Sequence, residues 1–292
     1  MHDCMTSVDL AEWTAPPDPE LSNFARALED GNVLYFPRLV FHMSEEEKGF
    51  LSPTWADGRA KNISYDGRRD SLKGAQGDAA DLEKLKTMLA RFRRQATRLI
   101  TTLFPYYQRA LRVGRTSFRP ARVEERETSW RKDDSLLHVD AFPSQPTQGE
   151  RILRVFTNIN PAGEPRVWRI GERFDGLVER LGPRLRRPVP GSAAILQALA
   201  ITKSRRSQYD HYMLQLHDTM KADLDYQREA PQLAFAFPSG STWVCFSDQT
   251  PHAAMSGQHL CEQTFHLSVT GLHRPDSAPL RVLERFMGHS LI

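Results

Sequence analysis

Leu137-His138-Val139-Asp140 and Thr250-Pro251-His252 decide the reading of this chain. Each segment stands at the end of a run that reads as β-strand, and together they offer two imidazoles and one carboxylate. That set holds one face of a six-coordinate Fe(II) and leaves the other face open for oxygen and a co-substrate. Residues two apart on a strand point to one side, so His138 and Asp140 can grip one ion while Val139 turns away. A third ligand from the same strand would lie in a row with them, so it has to come from a distant strand. His252 is so placed. By itself a His-x-Asp triplet has a plainer reading, a hydrogen-bonded histidine beside a loop aspartate. The neighbouring strands weigh against it.

The run Glu150 to Ile159 is apolar and β-branched, bracketed by Gly149 and Pro161, and reads as a strand. Arg154 alternates with Ile152, Phe156 and Asn158 and so shares one face with them. An arginine on an inward face has to pair with an anion, because burying its charge alone costs several kcal/mol. The far carboxylate of a metal-bound keto acid would need such a fork of donors. The other reading turns Arg154 outward, paired with a neighbour such as Glu150.

Further on, Gln232 to Phe237, Pro238-Ser239-Gly240 and Ser241 to Phe246 read as strand, tight turn, strand. They deliver the chain to Ser247-Asp248-Gln249-Thr250-Pro251-His252. A turn at Ser256-Gly257 and a strand at Gln263 to Val269 follow. This order resembles the C-terminal half of the double-stranded β-helix of 2-oxoglutarate oxygenases. The fold class predicted is mainly β with helical additions around a jelly-roll, cupin-like core. In many of those enzymes an arginine on the last strand anchors the keto acid. Here that strand has neither Arg nor Lys, and Arg154 matches the variant in which the strand after His-x-Asp supplies the anchor.

Leu136 to Ser144, Arg151 to Pro161 and Trp168-Arg169-Ile170-Gly171-Glu172, with the opening Glu29 to Pro37, resemble the Kdo hydroxylases. The likeness covers most of the chain. It implies a dioxygenase that uses Fe(II), 2-oxoglutarate and O2 to hydroxylate the 3-deoxy carbon of 3-deoxy-D-manno-oct-2-ulosonic acid (Kdo). The acceptor would be a Kdo-containing lipid A precursor, the lipid A–inner core of lipopolysaccharide. By this resemblance His138, Asp140 and His252 are the iron ligands and catalytic centre, and Arg154 anchors 2-oxoglutarate. Arg119, in Ser117-Phe118-Arg119-Pro120-Ala121-Arg122, would line the same pocket, sharing that carboxylate or holding the substrate's own.

Composition agrees. A chain of 292 residues with 40% apolar content can bury one substantial core. Its 3 cysteines follow no Cys-x-x-Cys pattern, which argues against a disulfide framework or zinc knuckle and for a reducing compartment. Met1 to Trp13 has no apolar signal-like core, and no run approaches the ~18 apolar residues of a membrane span. A soluble, cytoplasmic protein is expected. The net charge of +3 hides basic clusters at Arg91 to Arg98, Arg109 to Arg122, Arg184 to Arg187 and Lys203 to Arg206. Solvated surface explains them by default, and no nucleic-acid motif accompanies them, so no nucleic acid is expected. Peripheral contact with the anionic cytoplasmic face of the inner membrane is the alternative.

The expected organisation is one oxygenase domain over 1–292, core strands roughly at 110–270 and helical support roughly at 20–105 and 205–222. Glu20 to Leu28 reads as an amphipathic helix and Val33 to Phe36 as a strand. Gly58 to Gly77 reads as a loop whose Arg59, Lys61, Arg68, Arg69 and Lys73 are candidates for an anionic sugar or are merely solvated. Leucines and Phe92 at spacings of three and four make Asp81 to Leu103 a helix. Arg205 to Lys221 is a helix or an irregular insert, and Leu280 to Met287 a closing helix. His211, His217, His259 and His273 lack a same-face carboxylate two residues on. His266, level with Thr264 and Ser268, suits a hydrogen-bonded barrel residue. Trp168 and Gln263 are candidate pocket walls. Two rival functions stand beside the oxygenase: a cupin-type dioxygenase or isomerase without a keto acid, and a non-enzymatic basic barrel binding RNA or membrane.

Overall fold

A computed structural model describes residues 4–14, 21–60, 62–125 and 128–292. Among these residues the strands form an eight-stranded and a three-stranded sheet. They are β1 (Met5–Ser7), β2 (Val33–Phe36), β3 (Ile63–Asp66), β4 (Ser71–Lys73), β5 (Leu111–Arg119), β6 (Arg151–Asn158), β7 (Arg166–Gly171), β8 (Gln232–Phe237), β9 (Thr242–Phe246), β10 (His252–Ser256) and β11 (Leu260–Leu267). The large sheet runs β1-β2-β9-β6-β11-β5-β3-β4 and the small one β10-β7-β8. This is the jelly-roll expected from the sequence. Every residue of β6 and β11 is buried, the mark of strands covered on both faces.

Side-chain alternation sorts the two faces. Leu153 and Val155 of β6, Val244 and Phe246 of β9, and Phe265 and Leu267 of β11 join the core shared with α3 (Ala79–Leu103). The opposite face carries Phe156, Trp243 and Leu260, which pack with Trp168, Ile170 and Phe237 of the small sheet. Arg154, Arg119 and Glu262 belong by parity to this second face, between the sheets.

The helix α3 begins where Asp78 accepts a bond from Asp81 N at 2.8 Å, and buries Leu85, Met88, Leu89, Phe92, Ala96, Leu99, Ile100 and Leu103. Each of the larger of these side chains withdrawn from water contributes about 1.5–3 kcal/mol, so α3 anchors the outer face of the large sheet. The other helices are α1 (Leu21–Glu29), α2 (Glu45–Lys48), α4 (Phe174–Leu181), α5 (Ser192–Ala198), α6 (Gln208–Ala222), α7 (Leu224–Glu229) and α8 (Pro279–Met287).

The structure corrects several expectations. Residues 58–77 are not a plain loop: β3 and β4 form a hairpin on β5, because Ile63 and Tyr65 alternate inward with Ser64 and Asp66. Lys61 and the Glu20 start of the first helix lie outside the described residues. The segment assigned to helical support, 20–105, therefore adds three strands to the sheet, while α4, α5 and α7 lie within the stretch expected to hold core strands. The 205–221 segment is helical only from Gln208, where Ser207 and Asp210 form a reciprocal capping box. Finally β8 and β9 are not paired. Pro238 to Ser241 carries the chain from the small sheet to the large one, stitched by Gly240 N to Asn158 O at 2.8 Å and Asn158 N to Ser241 O at 3.0 Å.

Candidate metal and co-substrate centre

His138 does not end a strand. It meets His252, the first residue of β10, in an isolated antiparallel bridge, with His138 N to His252 O at 3.0 Å and His252 N to His138 O at 2.8 Å. Asp140 N donates to Ser247 O at 2.8 Å, tying the carboxylate to the loop that delivers His252. That loop is held by buried Arg151, whose Nε donates to Asp248 at 2.7 Å and whose second arm donates to Gln249 at 2.6 Å, with Phe246 under the guanidinium. Gln249 in turn donates to Glu29 O and Ser277 O, and Thr250 to Gly31 O. Behind His252, Gly171 N donates to Pro251 O at 2.7 Å, and a Cβ at Gly171 would stand 2.8 Å from Pro251.

One ligand atom each of His138, Asp140 and His252 falls within 4.8 Å of the others. His138 Nδ1 lies 2.7 Å from Leu136 O and His252 Nδ1 2.9 Å from Thr250 O. Each Nδ1 therefore carries its proton, and each Nε2 keeps its lone pair for a metal. Burial holds both imidazoles below their ordinary pKa, keeping them neutral. Burial opposes the Asp140 carboxylate, but Arg154, helped by a hydrogen bond from Ser247, outweighs it and holds its carboxyl below the usual range. Asp140 Oδ2 is buried without a hydrogen bond. Two neutral imidazoles and an ionised carboxylate at one point fit a divalent iron.

Beside the triad, Glu262 joins two arginines. Arg119 donates to its Oε2 at 2.5 Å and to Asp134 at 3.2 Å, while Arg154 sits 2.9 Å from its Oε1 and 3.2 Å from Asp140 Oδ2. The register explains the arrangement: Arg154 pairs across the sheet with Thr264 and Arg119 with Leu260, and Glu262 lies between. The inward reading of Arg154 holds; the outward pairing with Glu150 does not, because Glu150 pairs with Arg112.

His138, Asp140, His252, Arg119, Asp134 and Arg154 line a cavity of about 810 Å³ together with Phe156, Arg166, Trp168, Leu260 and residues of α6. Trp168 stacks on the His252 ring at 5.0 Å and 21°. Of the two candidate walls Trp168 lines the cavity, whereas Gln263 is turned into the sheet and bonded to Thr116 at 2.6 Å. His217 does reach the cavity, 5.4 Å ring to ring from His138, with its Nδ1 3.0 Å from Asp218. His266 is buried on β11 outside the triad, and its Nδ1 lacks the hydrogen bond expected of it. Sequence reasoning missed Glu262, Asp134 and Arg166. The one available signal was a charged residue amid apolar neighbours on a strand, as at Glu262 in Leu260 to Leu267.

A jelly-roll that brings two imidazoles and a carboxylate together beside buried arginines defines an Fe(II)- and 2-oxoglutarate-dependent dioxygenase, and this chain is an enzyme of that class. The chain belongs to the 3-deoxy-D-manno-oct-2-ulosonic acid (Kdo) hydroxylase family, whose model matches residues 12–290. It is similar to the Kdo hydroxylase KdoO, a non-heme Fe(II) α-ketoglutarate-dependent dioxygenase solved with α-ketoglutarate and Fe(III), at 49% identity and TM-score 0.95, covering 99% of this chain and 97% of that one. The cobalt(II) complex of KdoO gives 50% identity and TM-score 0.97, and its complex with succinate and Fe(III) 49% and 0.96, at the same coverage. A search of curated protein sequences returned no match. Among the described residues no helix is long and apolar enough to cross a membrane.

Proposed function

We propose that this enzyme hydroxylates the 3-deoxy carbon of Kdo in a Kdo-containing lipid A precursor, with His138, Asp140 and His252 holding the iron. The observation that carries this reading is the convergence of these three donors at a cavity large enough for a sugar. Bound Fe(II) with 2-oxoglutarate and O2 supplies the oxidising power for C–H hydroxylation, with succinate and CO2 as co-products.

The chain's own residues do the positioning. Arg154, with Arg119 beside it, offers planar donor forks for the far carboxylate of 2-oxoglutarate. Glu262 balances these two guanidinium groups, and Trp168 and Phe156 form an apolar wall that keeps water from the reacting C–H bond. Lys132, Arg131, Arg206 and Lys221 give the remaining lining a positive character suited to an anionic sugar acid. The proposed setting is the cytoplasmic face of the inner membrane, where such an acceptor and anionic lipid coincide.

The test is succinate release by protein loaded anaerobically with Fe(II) and 2-oxoglutarate, then given O2 with and without the Kdo-lipid A acceptor. Succinate that rises with acceptor, and a product heavier by one oxygen, is the expected result. Succinate indifferent to acceptor would remove the substrate assignment.

A further inference from the structure

Exposed apolar side chains concentrate in one place. Val189 is 72% exposed, Ile195 60%, Leu199 65% and Ile201 52%. They lie in Pro188-Val189-Pro190-Gly191-Ser192-Ala193-Ala194-Ile195-Leu196-Gln197-Ala198-Leu199-Ala200-Ile201, which has no charged residue. Ile195 and Leu199 stand one turn apart on and just past α5, both outward, while Leu196 is half-buried beneath. On either side the sequence turns strongly basic, with Arg184, Arg186 and Arg187 before and Lys203, Arg205 and Arg206 after. Arg186, Arg187, Lys203 and Arg205 are exposed. A soluble surface gains nothing from leaving four large aliphatic side chains in water, so such a patch marks a contact.

The segment is fastened to the rim of the cavity. Lys203 N donates to Ser144 O at 3.0 Å, and Arg206 donates to Pro143 O at 2.8 Å. Pro143, Arg206 and His211 line the cavity, and Arg206 and His211 also line the cleft beneath Pro188 to Leu196. An apolar knob set in a basic collar matches one kind of surface, a bilayer with anionic headgroups: aliphatic tips enter the acyl boundary while arginines and lysines stay at headgroup level.

We infer that residues 188–201 are a membrane-docking element that enters the lipid interface and holds the cavity mouth against it, so that a lipid-borne acceptor reaches the site without leaving the bilayer. This deepens the proposed function, since it rests on an acceptor carried by lipid A.

The test is co-sedimentation of the full chain with vesicles of phosphatidylcholine alone and with one-third phosphatidylglycerol, for wild type and Ile195→Ser/Leu199→Ser. Unfolding temperature and succinate release with a water-soluble Kdo glycoside serve as controls. Wild type should bind the anionic vesicles, and the variant should lose at least tenfold in affinity and in turnover of vesicle-borne acceptor. Its melting and its turnover of the soluble glycoside should stay unchanged. Unaltered vesicle binding by the variant would overturn the insertion and leave the collar as the contact, as would a patch that only pairs two copies of the chain, seen as a dimer lost in the variant. Turnover of neither acceptor by wild type would instead overturn the substrate reading, which the vesicle binding measures separately.

Discussion

His138 and His252 are bonded to each other backbone to backbone, so one pair of hydrogen bonds sets the spacing of two imidazoles drawn from distant parts of the chain. Their side chains are set by a second device, the bond from each Nδ1 to the carbonyl two residues earlier. The donor set is thus prearranged by local bonds, without a long lever arm that a metal would have to organise.

The proposed ligand role predicts that His138→Ala and His252→Ala each abolish stoichiometric Fe(II) binding and lower turnover at least a hundredfold. The backbone bridge survives both substitutions, so the fold should persist. Iron content, activity and thermal unfolding read out the three effects. Full iron loading of either variant would remove that histidine from the ligand set.

Arg154→Ala should mainly raise the requirement for 2-oxoglutarate, by roughly ten- to a hundredfold, since a charge-assisted hydrogen bond contributes about 1.5–3 kcal/mol. A titration of succinate production against 2-oxoglutarate measures it. An unchanged apparent KM would sink the anchor assignment.

Glu262→Gln tests the balance between the arginines. Its carboxyl is held below the usual range: burial opposes ionisation, but Arg154 and Arg119 outweigh it. Removing that charge leaves two buried guanidinium groups facing each other, and stability should fall by about 2–3 kcal/mol, with a weaker grip on 2-oxoglutarate. Urea unfolding and the same titration follow both. A variant as stable as wild type would mean that Asp140 and Asp134 suffice as counter-ions.

Acid should destabilise the fold through His259 and His266, both pushed down to about 4 by burial, with Arg122 and Arg112 respectively adding to it. Folded, they stay neutral; unfolded, they take up protons near pH 6.5. Their stabilisation is therefore complete above about pH 6.5 and lost as pH falls towards about 4, by about 1–3 kcal/mol each. His259 has a left-handed backbone that Asn tolerates, so His259→Asn should flatten the decline between pH 6.5 and 4.5 in urea titrations. A decline of unchanged slope would remove His259 as a contributor.

The sequence by itself determined which three residues could form a donor set, the strands flanking them towards the C-terminus and the helix over α3, because these depend on residue type and on periods of two or of three and four. Arg154 among apolar neighbours already pointed to a buried anion, though an outward pairing with Glu150 stood beside that reading. What the sequence could not specify was which anion, since Asp140 and Glu262 come to Arg154 only through strand register, and register depends on pairings between distant segments. The passage of β8 and β9 into different sheets escaped for the same reason: a tight turn between two strands has the same local chemistry whether it closes a hairpin or changes sheets. Solvent exposure belongs to the tertiary structure as well. Only the packed fold leaves Val189, Ile195, Leu199 and Ile201 in water beside the cavity, because burial is a property of what surrounds a residue and not of the residue itself.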